Sequence, residues 1–144
     1  MLTAEPATAT GALPATITLV GWDDPLVETH GFGPRHPYIE GVWAGILGPS
    51  ATLAYRRLGP LVELRVDPVD IDVVDLAVSL GLGEGTGRNA LITRTLQRLV
   101  AFGAARWEPD GSYALRRALA PLPEHRLRRL SASARAFHDA QTRR

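Results

Sequence analysis

The sequence predicts a mostly α-helical fold with one small β-hairpin, extended by an extra helix before the central unit and another after it. Three observations carry this prediction. Apolar residues recur at three- and four-residue spacing in five segments between residues 37 and 141. Gly or Pro punctuates nearly every gap between those segments. Near the middle of the second half, Glu108-Pro109-Asp110-Gly111 is strong turn chemistry between two short stretches suited to strands.

In chain order, residues 1–15 are small, polar and Pro-containing, with little to bury, and are expected to be disordered. Ile17, Leu19 and Val20 could form a short strand, but Gly21-Trp22-Asp23-Asp24-Pro25 follows as a turn. Residues 1–35 are therefore expected to be an arm that packs on the domain through Trp22 and Phe32. Pro37 suits the first turn of a helix. Ile39, Val42, Trp43, Ile46 and Leu47 then line one helical face. After Gly48-Pro49, Ser50 opens a second helix that turns Leu53, Ala54 and Leu58 inward and leaves Arg56 and Arg57 solvated; Gly59-Pro60 is expected to end it. Val62, Leu64 and Val66 alternate with Glu63 and Arg65, which predicts a strand over 61–66.

Asp72 is a good N-cap for a helix over 72–80, which buries Val73, Leu76, Ala77 and Leu80 and stops at Gly81. Leu82 is expected to plug the gap before the next helix. Thr86 is the expected cap of that helix, over 88–102, with Ile92, Leu96, Leu99 and Val100 inward. Its outer face is then Arg88, Asn89, Thr93, Arg94, Gln97 and Arg98. The hairpin follows over 104–117, with Trp107 and Tyr113 expected as cross-strand packing partners. Pro121-Leu122-Pro123 leads into a last helix over 124–141, where Leu127, Leu130, Ala134 and Phe137 form a narrow seam among Arg126, Arg128, Arg129 and Arg135. The organisation expected is an arm over 1–35, a domain over 36–120 and a basic helix over 121–144.

Residues 50–117 resemble the winged helix-turn-helix superfamily of bacterial transcription regulators and plasmid replication initiators. The first core helix matches through Ser50-Ala51-Thr52-Leu53-Ala54 and Leu58, the second through Val73-Val74-Asp75-Leu76-Ala77 and Leu80-Gly81-Leu82. The third matches through Ile92, Leu96-Gln97-Arg98-Leu99 and Gly103, and the wing through Arg106-Trp107 and Asp110-Gly111-Ser112-Tyr113. The resemblance implies a winged helix and, with it, duplex DNA as partner. That superfamily also contains modules that bind only protein, so function transfers loosely.

Charge points the same way. All sixteen basic residues are Arg, the better side chain for bidentate contacts to phosphate or guanine. The formal net charge of +1 hides a division: residues 1–87 carry four Arg against eleven acids, and residues 88–144 carry twelve against four. Such asymmetry suggests an anionic partner for the basic half, although the halves could simply attract each other.

Other classes find little support. Cys is absent, which excludes disulfides and thiolate metal sites. The glycines of 81–87 follow a helix and no Lys exists, so a phosphate-cradling nucleotide loop is not expected. His30, His36, His125 and His138 lack zinc spacing, and Asp23, Asp24, Glu28, His30, His36 and Glu40 read as an acidic solvated arm. No nucleophile–base or paired-carboxylate pattern appears, so the chain is expected to be no enzyme and to need no cofactor. Without a signal peptide or apolar span, the expected setting is the cytoplasm.

The leading expectation is a sequence-specific DNA-binding regulator from a bacterium or phage. Helix 88–102 would enter the major groove, with Asn89 and Thr93 nearest base edges, Arg94, Gln97 and Arg98 beside them, and Arg88 on a phosphate. Arg106 with Arg116 or Arg117 would follow the backbone from the wing. The seam Leu127, Leu130, Ala134 and Phe137 would either pack back on the domain or form a homodimer contact. The alternative is an adaptor that binds protein through the acidic half. A third reading makes Trp22, Trp43 and the helix before Gly48 the wall of a small-molecule pocket.

Overall fold

The structure, a computed structural model, describes residues 11–143. Four strands, β1 (Thr16–Trp22), β2 (Val69–Asp72), β3 (Ala105–Trp107) and β4 (Tyr113–Arg116), form one mixed sheet in the order β2-β1-β4-β3. β1 runs antiparallel to β2, pairing Ile17 with Ile71, and parallel to β4, pairing Val20 with Ala114. β3 and β4 are an antiparallel hairpin. The sheet is therefore larger than the hairpin and single strand expected, β2 pairs with β1 and not with the hairpin, and the fold is mixed α/β.

Residues 16–22 correct the expected arm most sharply, because they form an interior strand of the sheet. Ile17 and Leu19 alternate into the core at 2% and 0% exposure, and strands on both sides satisfy the backbone of β1. Phe32 does pack against the core, as expected, and its backbone exchanges hydrogen bonds with Leu119.

Around the sheet lie α1 (Pro25–His30), α2 (Ala44–Leu47), α3 (Pro49–Glu63), α4 (Val73–Ser79), α5 (Leu91–Ala101), α6 (Glu124–Leu127) and α7 (Ala132–Thr142). A π-helical turn, Ile39–Trp43, precedes α2 within the segment predicted as one helix.

α3 does not stop at Gly59-Pro60. Tyr55, Leu58 and Val62 continue one buried stripe, while Leu64 and Val66 stay 60% and 54% exposed, so helical spacing wins over the apparent alternation. Pro60 forgoes one intrahelical bond, and the missing side chain of Gly59 admits the Pro34 ring, 2.4 Å from where a Cβ would stand. The strand comes later as β2, with Val69 and Ile71 partly buried between exposed Asp70 and Asp72.

α4 meets expectation closely. Asp72 accepts the Asp75 N–H at 2.9 Å, and Gly81 has a φ of 76° just beyond the helix. α5 starts at Leu91 rather than 88, without a side-chain cap, so Thr86 caps nothing. The approach is instead pinned from both sides: Leu13 N–H donates to the Thr86 carbonyl at 3.0 Å, and Thr93 Oγ1 donates to the Gly87 carbonyl at 2.7 Å.

The predicted last helix breaks at Leu130, where Ser131 caps α7 by accepting the Ala134 N–H at 3.1 Å. Leu127 and Leu130 are buried in this chain's own core, and Phe137 packs on Gly41. The seam is thus engaged within the chain. Among the described residues no helix is long and apolar enough to cross a membrane.

Candidate nucleic-acid interface

α5 is held against the sheet by a buried stripe of Ile92, Leu96 and Leu99, and by Tyr113 Oη, which donates to the Leu96 carbonyl at 2.8 Å. That anchoring fixes which side chains face outward. Arg94, Gln97 and Ala101 are exposed on the opposite face. Arg88 and Asn89 are exposed too, on the turn before the helix rather than on it.

Two members of the expected outer face are taken. Thr93 is 1% exposed, because its hydroxyl turns back to the carbonyls of Gly87 and Thr86. Arg98 reaches across to α2, donating to the carbonyls of Leu47 and, at 2.9 Å, Ile46. There it satisfies orphan carbonyls at a helix C-terminus, a favourable place for a cation. Its guanidinium also lies 5.0 Å from the Phe102 ring centroid, and Arg126 sits 5.1 Å from the same ring. Arg126 is thereby drawn to the C-terminal end of α5, a neighbour that no sequence spacing indicated.

The hairpin changes more. Arg106 pairs with Glu108 at 2.8 Å, and the guanidiniums of Arg106 and Arg116 lie 4.3 and 3.7 Å from the Trp22 ring centroid. Arg116 also bonds the Gly103 carbonyl and Asp24. Its guanidinium, helped by the Val27 N–H, holds the Asp24 carboxyl below its ordinary range. Arg117 is buried at 8% exposure and donates to the Val62 carbonyl at 2.8 Å while pairing with Asp67 and Asp23. It lies under Gly21 of β1, so it is structural and no phosphate ligand. At the tip, Asp110 accepts from both the hydroxyl and the N–H of Ser112, which lower its pKa and keep it charged. An anionic tip suits a phosphate backbone poorly. Trp107 and Tyr113 do pack edge to face across the hairpin, 4.8 Å apart.

The acidic segment is equally engaged. Asp23 and Asp24 meet Arg117 and Arg116, Glu28 meets Arg65, and Glu40 meets Arg56. Among the described residues no three His, Asp or Glu side chains are grouped to hold a metal ion. Trp43 is 7% exposed, with its indole N–H on the Ala120 carbonyl, so it fills the core.

Comparison with known protein families, curated proteins and solved structures finds no match. The site therefore rests on its own geometry. Beside α5, an open cleft of about 390 Å3 separates Arg94 and Arg98 from Pro49, Ser50 and Ala51 at the start of α3. That helix start has no side-chain cap, and a helix N-terminus carries positive partial charge.

Proposed function

We propose that this chain is a winged-helix protein that binds duplex DNA and acts as a transcription regulator. α5 lies in the major groove with Arg94 and Gln97 toward base edges, and Arg88 and Asn89 meet the backbone at its N-terminal end. The observation that carries the reading is the outer face of α5, where Arg94 and Gln97 are exposed and no acid among the described residues pairs with Arg94. Further support is the order α3, β2, α4, α5 and hairpin, which is that of a winged helix. The cleft beside α3 offers the Arg94 guanidinium and a helix start to one phosphate, while Arg98 stays on the carbonyls of α2. The wing adds little, since Arg116 and Arg117 are committed to Asp24, Asp67 and Asp23, and Arg106 is paired with Glu108.

Selection of bound fragments from random duplex DNA, followed by fluorescence anisotropy at rising salt, tests the proposal. Affinity should fall steeply with ionic strength, and Arg94→Ala should weaken the selected site by about 1–3 kcal/mol. A chain without duplex affinity at about 50 mM salt, where a few Arg–phosphate contacts are least screened, overturns it. A homodimer on a palindromic site would need a surface other than buried Leu127 and Leu130.

A further inference from the structure

We propose a second binding site: the cavity of about 300 Å3 between α5, β3 and residues 11–13 takes a small carboxylate with an aromatic or branched apolar body. Leu13, Leu96, Val100 and Trp107 supply its apolar wall, and Arg88 and Gln97 supply polar groups. Arg88 is the charged residue among those lining it, and no acid pairs with it among the described residues. Thr93 is present as well, but its hydroxyl already serves two carbonyls.

The walls are built rather than incidental. The Leu13 N–H on the Thr86 carbonyl fixes one side, and Gly11 lies against the aliphatic stem of Arg88. Trp107 is fixed by its edge-on contact with Tyr113. A cavity of this size sits at the small end of ligand pockets, which suits a single-ring acid and is too small for a nucleotide. An apolar body gains by leaving water for this wall, and a carboxylate can take two parallel N–H bonds from a guanidinium. The Gln97 amide can add one donor. A cationic ligand would meet Arg88 as a like charge.

Arg88 and Gln97 also belong to the proposed DNA face, so an occupied cavity would oppose DNA binding. That coupling, unlike the site itself, rests on the DNA reading.

The test is an NMR titration of the full chain with phenylacetate and its neutral analogue phenylacetamide. The Trp107 indole and Gln97 amide signals should shift saturably with the acid, and the amide should bind about tenfold more weakly, as expected for loss of one charge-assisted contact. Arg88→Gln, on an exposed turn, should erase that preference, and Val100→Phe should fill the cavity and remove the shifts. Absence of saturable shifts at about 10 mM phenylacetate, well above a millimolar Kd, overturns the site. So do equal affinities for acid and amide, or shifts that survive in Val100→Phe. None of these signals involves DNA, so failure of the DNA reading leaves the outcome separately readable.

Discussion

Replacing Arg117 with Met should cost stability, not DNA affinity. Met keeps most of the buried stem but removes the group that meets Asp67 at 3.2 Å and the Val62 carbonyl at 2.8 Å. Asp23 is 78% exposed and adds little, because water screens it. Asp67 is different: its side chain is only 13% exposed, and leaving a buried charge unpaired costs about 3–5 kcal/mol, whereas the Val62 carbonyl keeps the Arg65 N–H. The loss should also depend on pH. Burial pushes the Asp67 carboxyl up, but the N–H groups of Gly21 and Asp67 itself, with Arg117, outweigh it and hold the pKa below 3.8. A folded pKa below the unfolded one gives stability above about pH 4 that is lost as pH falls through the folded value. Without Arg117 burial regains weight, Asp67 protonates at higher pH, and the deficit of the variant should shrink between neutral pH and about pH 4. Urea unfolding of both proteins at several pH values measures this. A loss below about 1 kcal/mol at pH 7, the range of an exposed ion pair, would refute the buried-pair argument. A deficit that does not change with pH would refute the assignment to Asp67.

Three further outcomes follow from the same contacts. Thr93→Val should lower stability by about 1 kcal/mol, because the buried hydroxyl's bonds are lost while the Gly87 and Thr86 carbonyls keep the N–H groups of Ala90 and Leu13, read by denaturant unfolding, with DNA affinity of the folded protein kept. Ser131→Ala should lower stability by about 1 kcal/mol and speed amide exchange in the first turn of α7, because the Ala134 N–H loses its cap. Arg94→Ala should reduce affinity for the selected duplex, whereas Arg106→Ala should change affinity and its salt dependence little, since its partner Glu108 already offsets its charge.

The sequence made the central helices legible because their apolar stripes are long and their caps chemically distinct. Asp72, Gly81 and the stripe Ile92, Leu96, Leu99 each fall where local rules place them. What it hid depends on partners distant in the chain. A short strand at Ile17, Leu19 and Val20 is legible, but its interior place is not, because β2 and β4 flank it from distant parts of the chain. α3 continues past Pro60 because Pro34 packs on Gly59, a contact across the chain. On the candidate site, periodicity placed Arg94 and Gln97 outside correctly. It failed for Thr93, which a hydrogen bond to the Gly87 carbonyl turns inward; Arg98 is exposed as expected, but its bond to the Ile46 carbonyl, invisible in spacing, draws it aside. For Arg117 the count of basic residues suggested an external anion, where the anions were Asp67 and Asp23 of the same chain.

That last case decides how the charge division should be understood. If attraction between the halves were its whole cause, the basic side chains would gather where Arg116 and Arg117 do, against Asp24, Asp67 and Asp23. They do not. Arg106 pairs within its own half, and Arg98 serves backbone carbonyls. Arg88, Arg94, Arg126, Arg128, Arg129, Arg135 and Arg143 meet no acid among the described residues. Unpaired like charges in one half of a small fold repel one another, which destabilises the compact state unless an external anion offsets them. Arg94 projects from the outer face of α5, and Arg126 sits on Phe102 at its end, so the excess flanks the helix proposed to read DNA. The wing, with Asp110 and Glu108 at its turn, cannot share that burden. The weight of any phosphate contact therefore shifts from the hairpin to α5 and the turn that carries Arg126.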